Sequence, residues 1–299
     1  TLKPGQGISS LDPASPANIT GPVNITNGNT IKDLRIIGTT GSAVNGTNSV
    51  GGSLSGVVID GATVRGVSLT NSTGTFSVTN STIRNTVSHG IVASSDTGSL
   101  VWSVTGSTFA NVTGQDVFSN TTATAGQNVT VANSNSTGGT LQFVFVDANT
   151  SGSVGLNMTN NTVQGNNNKV RGLSVSTNAS ANFLGLISAN NITGCTSTGI
   201  QVAVDGTSTA KARFTGNRLV GNSPTNSVNV ALLGAATPFF GGIFQNNVAD
   251  QYNLGNLVPG GTFQIEQFAV FGNPAGGNNT GTVSSTNVQS VAAGSLGIP

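Results

Sequence analysis

Charge is what this chain has least of. Only 6% of its 299 residues are Asp, Glu, Lys or Arg, against about 25% in an ordinary globular protein. The ten basic residues are scattered and the net charge is +1, so no basic patch exists to displace counterions and a nucleic-acid partner is not expected. Disorder is excluded on the other side, because a disordered chain combines low hydrophobicity with high net charge, and here 35% of residues are apolar. Cys195 is the only cysteine. That rules out an intrachain disulfide and a cysteine-based zinc site, and its Gly194-Cys-Thr196 setting reads as a small structural residue in a turn. No apolar run approaches the ~18 residues of a membrane span. Large amphipathic aromatics are limited to Trp102 and Tyr252, fewer than a glycan-stacking platform usually presents. The first residue is Thr1 with no signal-peptide pattern after it, as expected of a mature product or a piece of something longer.

What is present is Asn, Ser, Thr and Gly, arranged with a period. The segment Phe76-Ser-Val-Thr-Asn-Ser-Thr-Ile83 is rewritten as Trp102-Ser-Val-Thr-Gly-Ser-Thr-Phe109, Leu156-Asn-Met-Thr-Asn-Asn-Thr-Val163 and Phe214-Thr-Gly-Asn-Arg-Leu219. The apolar residue before each turn is Ile36, Ile59, Val78, Val104, Val131, Met158, Ile187, Phe214, Phe244 and then Phe271, with spacings of 23, 19, 26, 27, 27, 29, 27, 30 and 27. A period of that size marks a repeat architecture. Each period holds a second strand roughly 10–14 residues past the anchor, such as Gly199-Ile-Gln-Val-Ala-Val204, and a third right after the turn, such as Thr82-Ile-Arg84. Helical periodicity is absent. Three short strands per turn, about ten turns, describe a coil whose strands pair with their equivalents above and below, a rod on the order of 50 Å long at ~4.8 Å per strand spacing. Asn80 is placed at the corner because Asn tolerates the left-handed conformation such a turn needs, and Gly106 and Gly216 fill equivalent corners.

These turns, with Gly-Ile-x-Val strands between them, resemble the right-handed parallel β-helix of the pectin-lyase-like superfold over about residues 31–275. They are also similar to the passenger and adhesin domains of bacterial surface proteins, which share the Asn/Thr/Gly richness and low charge. Phe214-Thr-Gly-Asn217, Phe244-Gln-Asn-Asn247 and Gly241-Gly-Ile243 resemble the FxxN and GGxI repeats of polymorphic outer-membrane proteins. The fold class is therefore all-β. Residues 1–30, with Pro4, Pro13, Pro16 and Pro22, read as a lead-in or cap, and residues 276–299 as a final edge strand and tail. Pro238-Phe-Phe-Gly-Gly242 and Pro259-Gly-Gly261 read as a departure from the regular coil.

The superfold includes polysaccharide lyases and hydrolases, so enzymatic residues need testing. The resemblance implies clustered acids holding calcium with an arginine base, or paired aspartates with Gly-His-Gly and Arg-x-Lys. Here Ser88-His-Gly90 lacks the first glycine, Lys211-Ala-Arg213 reverses the basic motif, and no family residue carries over. A glycosidase needs two carboxyl groups about 5–10 Å apart, yet the nine acids are nearly all isolated. One constellation stands out: Asp147 and Asp205 fall two coils apart, with Lys169 and Arg171 in the coil between. The four could converge into a charged groove for a sugar acid; the alternative is solvated turn residues or one surface ion pair. His89 reads as a turn histidine, Arg65 and Arg84 as guanidiniums sharing a face, and Trp102 as core or surface equally. No Asp-rich calcium repeat and no phosphate loop are present, so no metal and no cofactor are expected. A Thr-rich face of low charge also suits ice binding, but the strict Thr-x-Thr ladder is missing. The reading that follows is a non-enzymatic structural or adhesive β-helix of a bacterial extracellular or cell-surface protein, its partners itself, end to end or laterally, or surface glycans. The alternative is a lyase or hydrolase on acidic glycans.

Overall fold

A computed structural model describes residues 1–222, 227–273 and 277–299. The chain is a parallel β-solenoid of about ten turns with ~27 residues per turn. Each of the first nine turns lays down three strands. One column of twelve strands forms face one, exemplified by Thr73–Thr79, Ser99–Thr105 and Gly126–Ala132. Three-residue strands such as Thr82–Arg84 and Thr108–Ala110 form face two. Face three contains Ile91–Ser95, Val117–Thr121 and Gln142–Ala148. Among the described residues all pairings are parallel, and all but two run in step, as Val78 against Val104 and Val104 against Val131; the register shifts between Thr73 and Phe76 and between Val248 and Gln251. The expected strands at 82–84, 108–110 and 162–164 match the observed ones, and that expected at 199–204 is one residue shorter, Ile200–Val204.

In-step pairing turns the repeat into internal stacks. Val78, Val104, Val131, Met158, Ile187, Phe214 and Phe244 form one continuous buried column. Its last two rings stack at 4.7 Å and 16°. A side chain buried this way contributes about 1.5–3 kcal/mol, so the stacks are the main stabilising term. Trp102 belongs to the interior, its indole donating to Gln127 Oε1 at 3.0 Å.

The corner between faces one and two has a division of labour within a residue pair. The first residue turns the chain at positive φ: Asn80 (47°), Gly106 (61°), Asn133 (51°), Asn160 (56°), Ala189 (53°), Gly216 (65°) and Asn246 (55°). The second residue is buried and faces inward: Ser81, Ser107, Ser134, Asn161, Asn190, Asn217 and Asn247. Each accepts the backbone N–H of its counterpart one coil earlier, as in Ser107 N–H to Ser134 Oγ (3.1 Å) and Asn190 N–H to Asn217 Oδ1 (3.1 Å). From Asn161 onward the amide also donates to a main-chain carbonyl, Asn161 to Val131 and Asn190 to Met158. The ladder runs on to Asn279. The inward-facing Ser and Asn side chains of this corner are thereby hydrogen-bonded, as burial requires.

The chain between residues 7 and 25 contributes a strand to each face, Gly7–Ser9, Ala17–Ile19 and Val23–Ile25. Phe239–Gln245 is a regular strand of face one, paired over its whole length with Thr209–Thr215, so the coil is not interrupted there. The irregularity lies in the next strand, Val248–Asn256, which pairs with both Arg218–Val220 and Val228–Leu232 and so spans faces two and three. The boundary expected between residues 275 and 276 lies outside the described residues. Beyond it, Thr280–Thr286 and Gln289–Val291 add strands to the stack.

Candidate functional site

The four residues singled out from the sequence go to different places. Lys169 is fully buried, and its Nζ donates to Asp116 Oδ2 at 3.1 Å. Arg171 begins a strand of face three and donates through Nε to Thr198 Oγ1. Asp147 lies half-buried on face three, opposite Ser176. That register puts Arg171 five residues away along the neighbouring strand, about 17 Å. Asp205 follows Val204, two strands from Asp147 and two residues further along, roughly 12 Å away by strand spacing, and its Oδ1 accepts the N–H of Gly206 at 2.6 Å. The structure thus pairs Lys169 with an acid outside the four and spreads the others over face three and its following turn.

Most of the remaining acids hold one coil to another. Asp60 accepts from Arg84 and Asn85 of the next coil, and Asp96 accepts from the Thr122 hydroxyl. Asp250 accepts from Gly221 N–H, and Glu266 receives Gly294 N–H and Leu296 N–H. Asp12 closes a local turn and Asp33 meets Lys32. At Asp60 the desolvation that would raise its pKa is outweighed by the bonds from Asn85 and Arg84, which hold the carboxyl below its ordinary range. Asp147 is the acid, among the described residues, with no such bond.

His89 accepts the Gln115 N–H at Nδ1 (3.2 Å) and sits edge-on to Phe118 at 5.6 Å. Burial, helped by nearby Arg65, holds its pKa below the usual value, so the ring is neutral at pH 7. Phe118 and Phe145 face outward in register and stack at 5.1 Å and 9°. Alternation could have revealed this pair, since each follows an inward valine. Arg65 donates to Ser68 within its own coil, while Arg84 bridges to Asp60.

A groove runs along face one, parallel to the coil axis. Its C-terminal part holds the chain's own end: Lys211 donates to the carbonyl of Leu296 (2.8 Å) and Arg213 to that of Ile298 (3.2 Å). The Leu296 and Ile298 side chains bury themselves against Ile243. Ahead of Pro299 the groove is open as two adjoining hollows of about 540 and 230 Å³. Asn128, Gly155 and Leu184 line both. The notch exists because Gly155 has no side chain; a Cβ there would lie 2.5 Å from Asn128 Oδ1. Apolar Val101 and Leu184, 45% and 43% exposed, alternate with the amides of Asn128, Asn157 and Asn182. Such a surface offers carbon faces for sugar rings and amide donors and acceptors for hydroxyls.

Compared with known proteins, the chain matches no family model and no curated protein. Among solved structures it is similar to tailspike protein 3 of bacteriophage CBA120. The identity is 11% and the TM-score 0.31, covering 94% of this chain. The chain spans about half (53%) of that tailspike's length. Among the described residues no group of three or more His, Cys, Asp or Glu side chains is placed to hold a metal, and no helix is long and apolar enough to cross a membrane.

Proposed function

We propose that this chain is a non-enzymatic structural and adhesive β-helix of a bacterial extracellular or cell-surface protein, meeting surface glycans along face one. The observation that carries the reading is the use of the acids: eight of the nine bond to their own chain, most of them to a neighbouring coil. Carboxyl groups committed to coil-to-coil bonds serve cohesion rather than turnover. The face-one groove supplies the adhesive element, with aliphatic and amide side chains suited to polyhydroxyl chains. Thr280–Thr286, exposed at every position, offers backbone groups for self-association.

Retention on a panel of bacterial and host polysaccharides tests this. Leu184→Asp, on an exposed position, is expected to weaken retention several-fold while leaving the fold intact. A monodisperse monomer that binds no glycan, no cell and no second copy would overturn the reading. The second reading, a lyase or hydrolase on acidic glycans, draws on Asp147, the acid left without a partner. Release of new chain ends that is abolished by Asp147→Ala would favour it.

A further inference from the structure

The most unusual chemistry in the molecule lies inside it. Asp116 and Lys169 are both fully buried, 53 residues apart in sequence and on coils separated by one other. Each departs from the apolar or small pattern of its surroundings. Asp116 occupies the position that Gly90 fills one coil earlier and Phe143 one coil later. Ser136, from the coil between, stands where its column otherwise has Phe109 and Val163. Its hydroxyl donates to the same Asp116 oxygen, Oδ2, at 2.5 Å. Gly139 makes room for the lysine head, since a Cβ there would lie 3.2 Å from Nζ. Outside Gly139 is a polar hollow of about 310 Å³ lined by Asn111, Thr113, Thr140 and Asn168.

We propose that Lys169 and Asp116 form an intramolecular isopeptide bond that covalently staples three consecutive coils. An isolated ion pair in a dry interior is held at a desolvation cost to both charges. Burial, opposed by Lys169 and Ser136, raises the Asp116 pKa, which favours passage of the ammonium proton to the carboxylate. That transfer produces the two reactive forms, a neutral amine and a neutral acid. Nζ lies 3.1 Å from Oδ2, the oxygen that leaves, one bond from the Cγ that Nζ must reach, and burial holds the two groups together so that the reaction is intramolecular. The Nζ lone pair adds to Cγ, forming the Nζ–Cγ bond. The Cγ–Oδ2 bond then breaks as Oδ2 takes a second amine proton, relayed by the Ser136 hydroxyl, and leaves as water. Ammonium plus carboxylate thus becomes amide plus one water, with no oxidant or co-reactant, and the polar hollow beside Gly139 receives the water.

The test is mass spectrometry of the purified full chain. The intact mass is expected to fall short of the sequence mass by one water. Trypsin finds no Lys or Arg between Arg84 and Lys169 and cannot cleave after an amidated lysine. The digest should therefore contain residues 85–171 as one peptide lacking one water, in place of 85–169. Lys169→Met should restore the mass calculated from its sequence. A wild-type chain at full mass that yields peptide 85–169 overturns the proposal, as does a water deficit that persists in Lys169→Met. The wild-type digest decides the question even if that variant fails to fold.

Discussion

Asn160 and Asn161 are neighbours of the same residue type, and the structure gives them unequal weights. Asn161 is buried; its Oδ1 accepts the Ser134 N–H at 3.0 Å and its Nδ2 donates to the Val131 carbonyl at 2.8 Å and to Asn190 Oδ1 at 2.9 Å. Truncation to Ala removes the side-chain partner of two buried main-chain groups, each costing about 1–3 kcal/mol when left unpaired. The summed expectation for Asn161→Ala is about 2–6 kcal/mol. Asn160 holds a positive φ of 56° and an exposed bond to Asn133. The equivalent corner already carries Ala189 at 53°, so Asn160→Ala should cost only about 1 kcal/mol, the penalty of an L side chain in the left-handed region. Urea unfolding followed by the fluorescence of Trp102 measures both. Equal midpoint shifts for the two variants, or an Asn161→Ala shift below about 0.5 kcal/mol, would refute the ladder as a stabilising element.

His89 has a folded pKa below its ordinary 6.5, through burial first and the Arg65 charge second. The unfolded chain therefore binds the proton more readily, and stability should decline as pH falls below about 6.5; His89→Gln should flatten that slope in denaturation at pH 7 and pH 5. The segment 292–299 is held by the Leu296 and Ile298 side chains and by bonds to Lys211, Arg213 and Glu266, and the entropy lost in ordering its backbone opposes them. Its removal is expected to move the unfolding midpoint by less than about 1 kcal/mol, and its amides should exchange with deuterium far faster than those of Val131 or Ile187.

The repeat was legible because in-step pairing leaves the same mark on most coils; the first two anchors, Ile36 and Ile59, stand instead on face two in register with Ile83. The anchors Val78 to Phe244 are the inner column, and Asn80, Gly106 and Gly216 are the positive-φ corners. Less legible was the residue after each corner. Asn161 and Asn217 look like further turn residues in an Asn-rich chain, and only the alternation of turning and buried positions separates them. The constellation of Asp147, Lys169, Arg171 and Asp205 rested on coil counting, which gives height along the rod but not which way a side chain points at a corner. Lys169 turns inward, and its partner Asp116 is recognisable only as a polar residue in a column that otherwise holds Gly90 and Phe143.

The proposed role is that this rod holds glycans without cutting them. The direct measurement is incubation with the polysaccharides it retains, followed by sizing of the polymer. The account predicts retained polymer of unchanged length with no new chain ends. Progressive shortening that depends on the protein would contradict it.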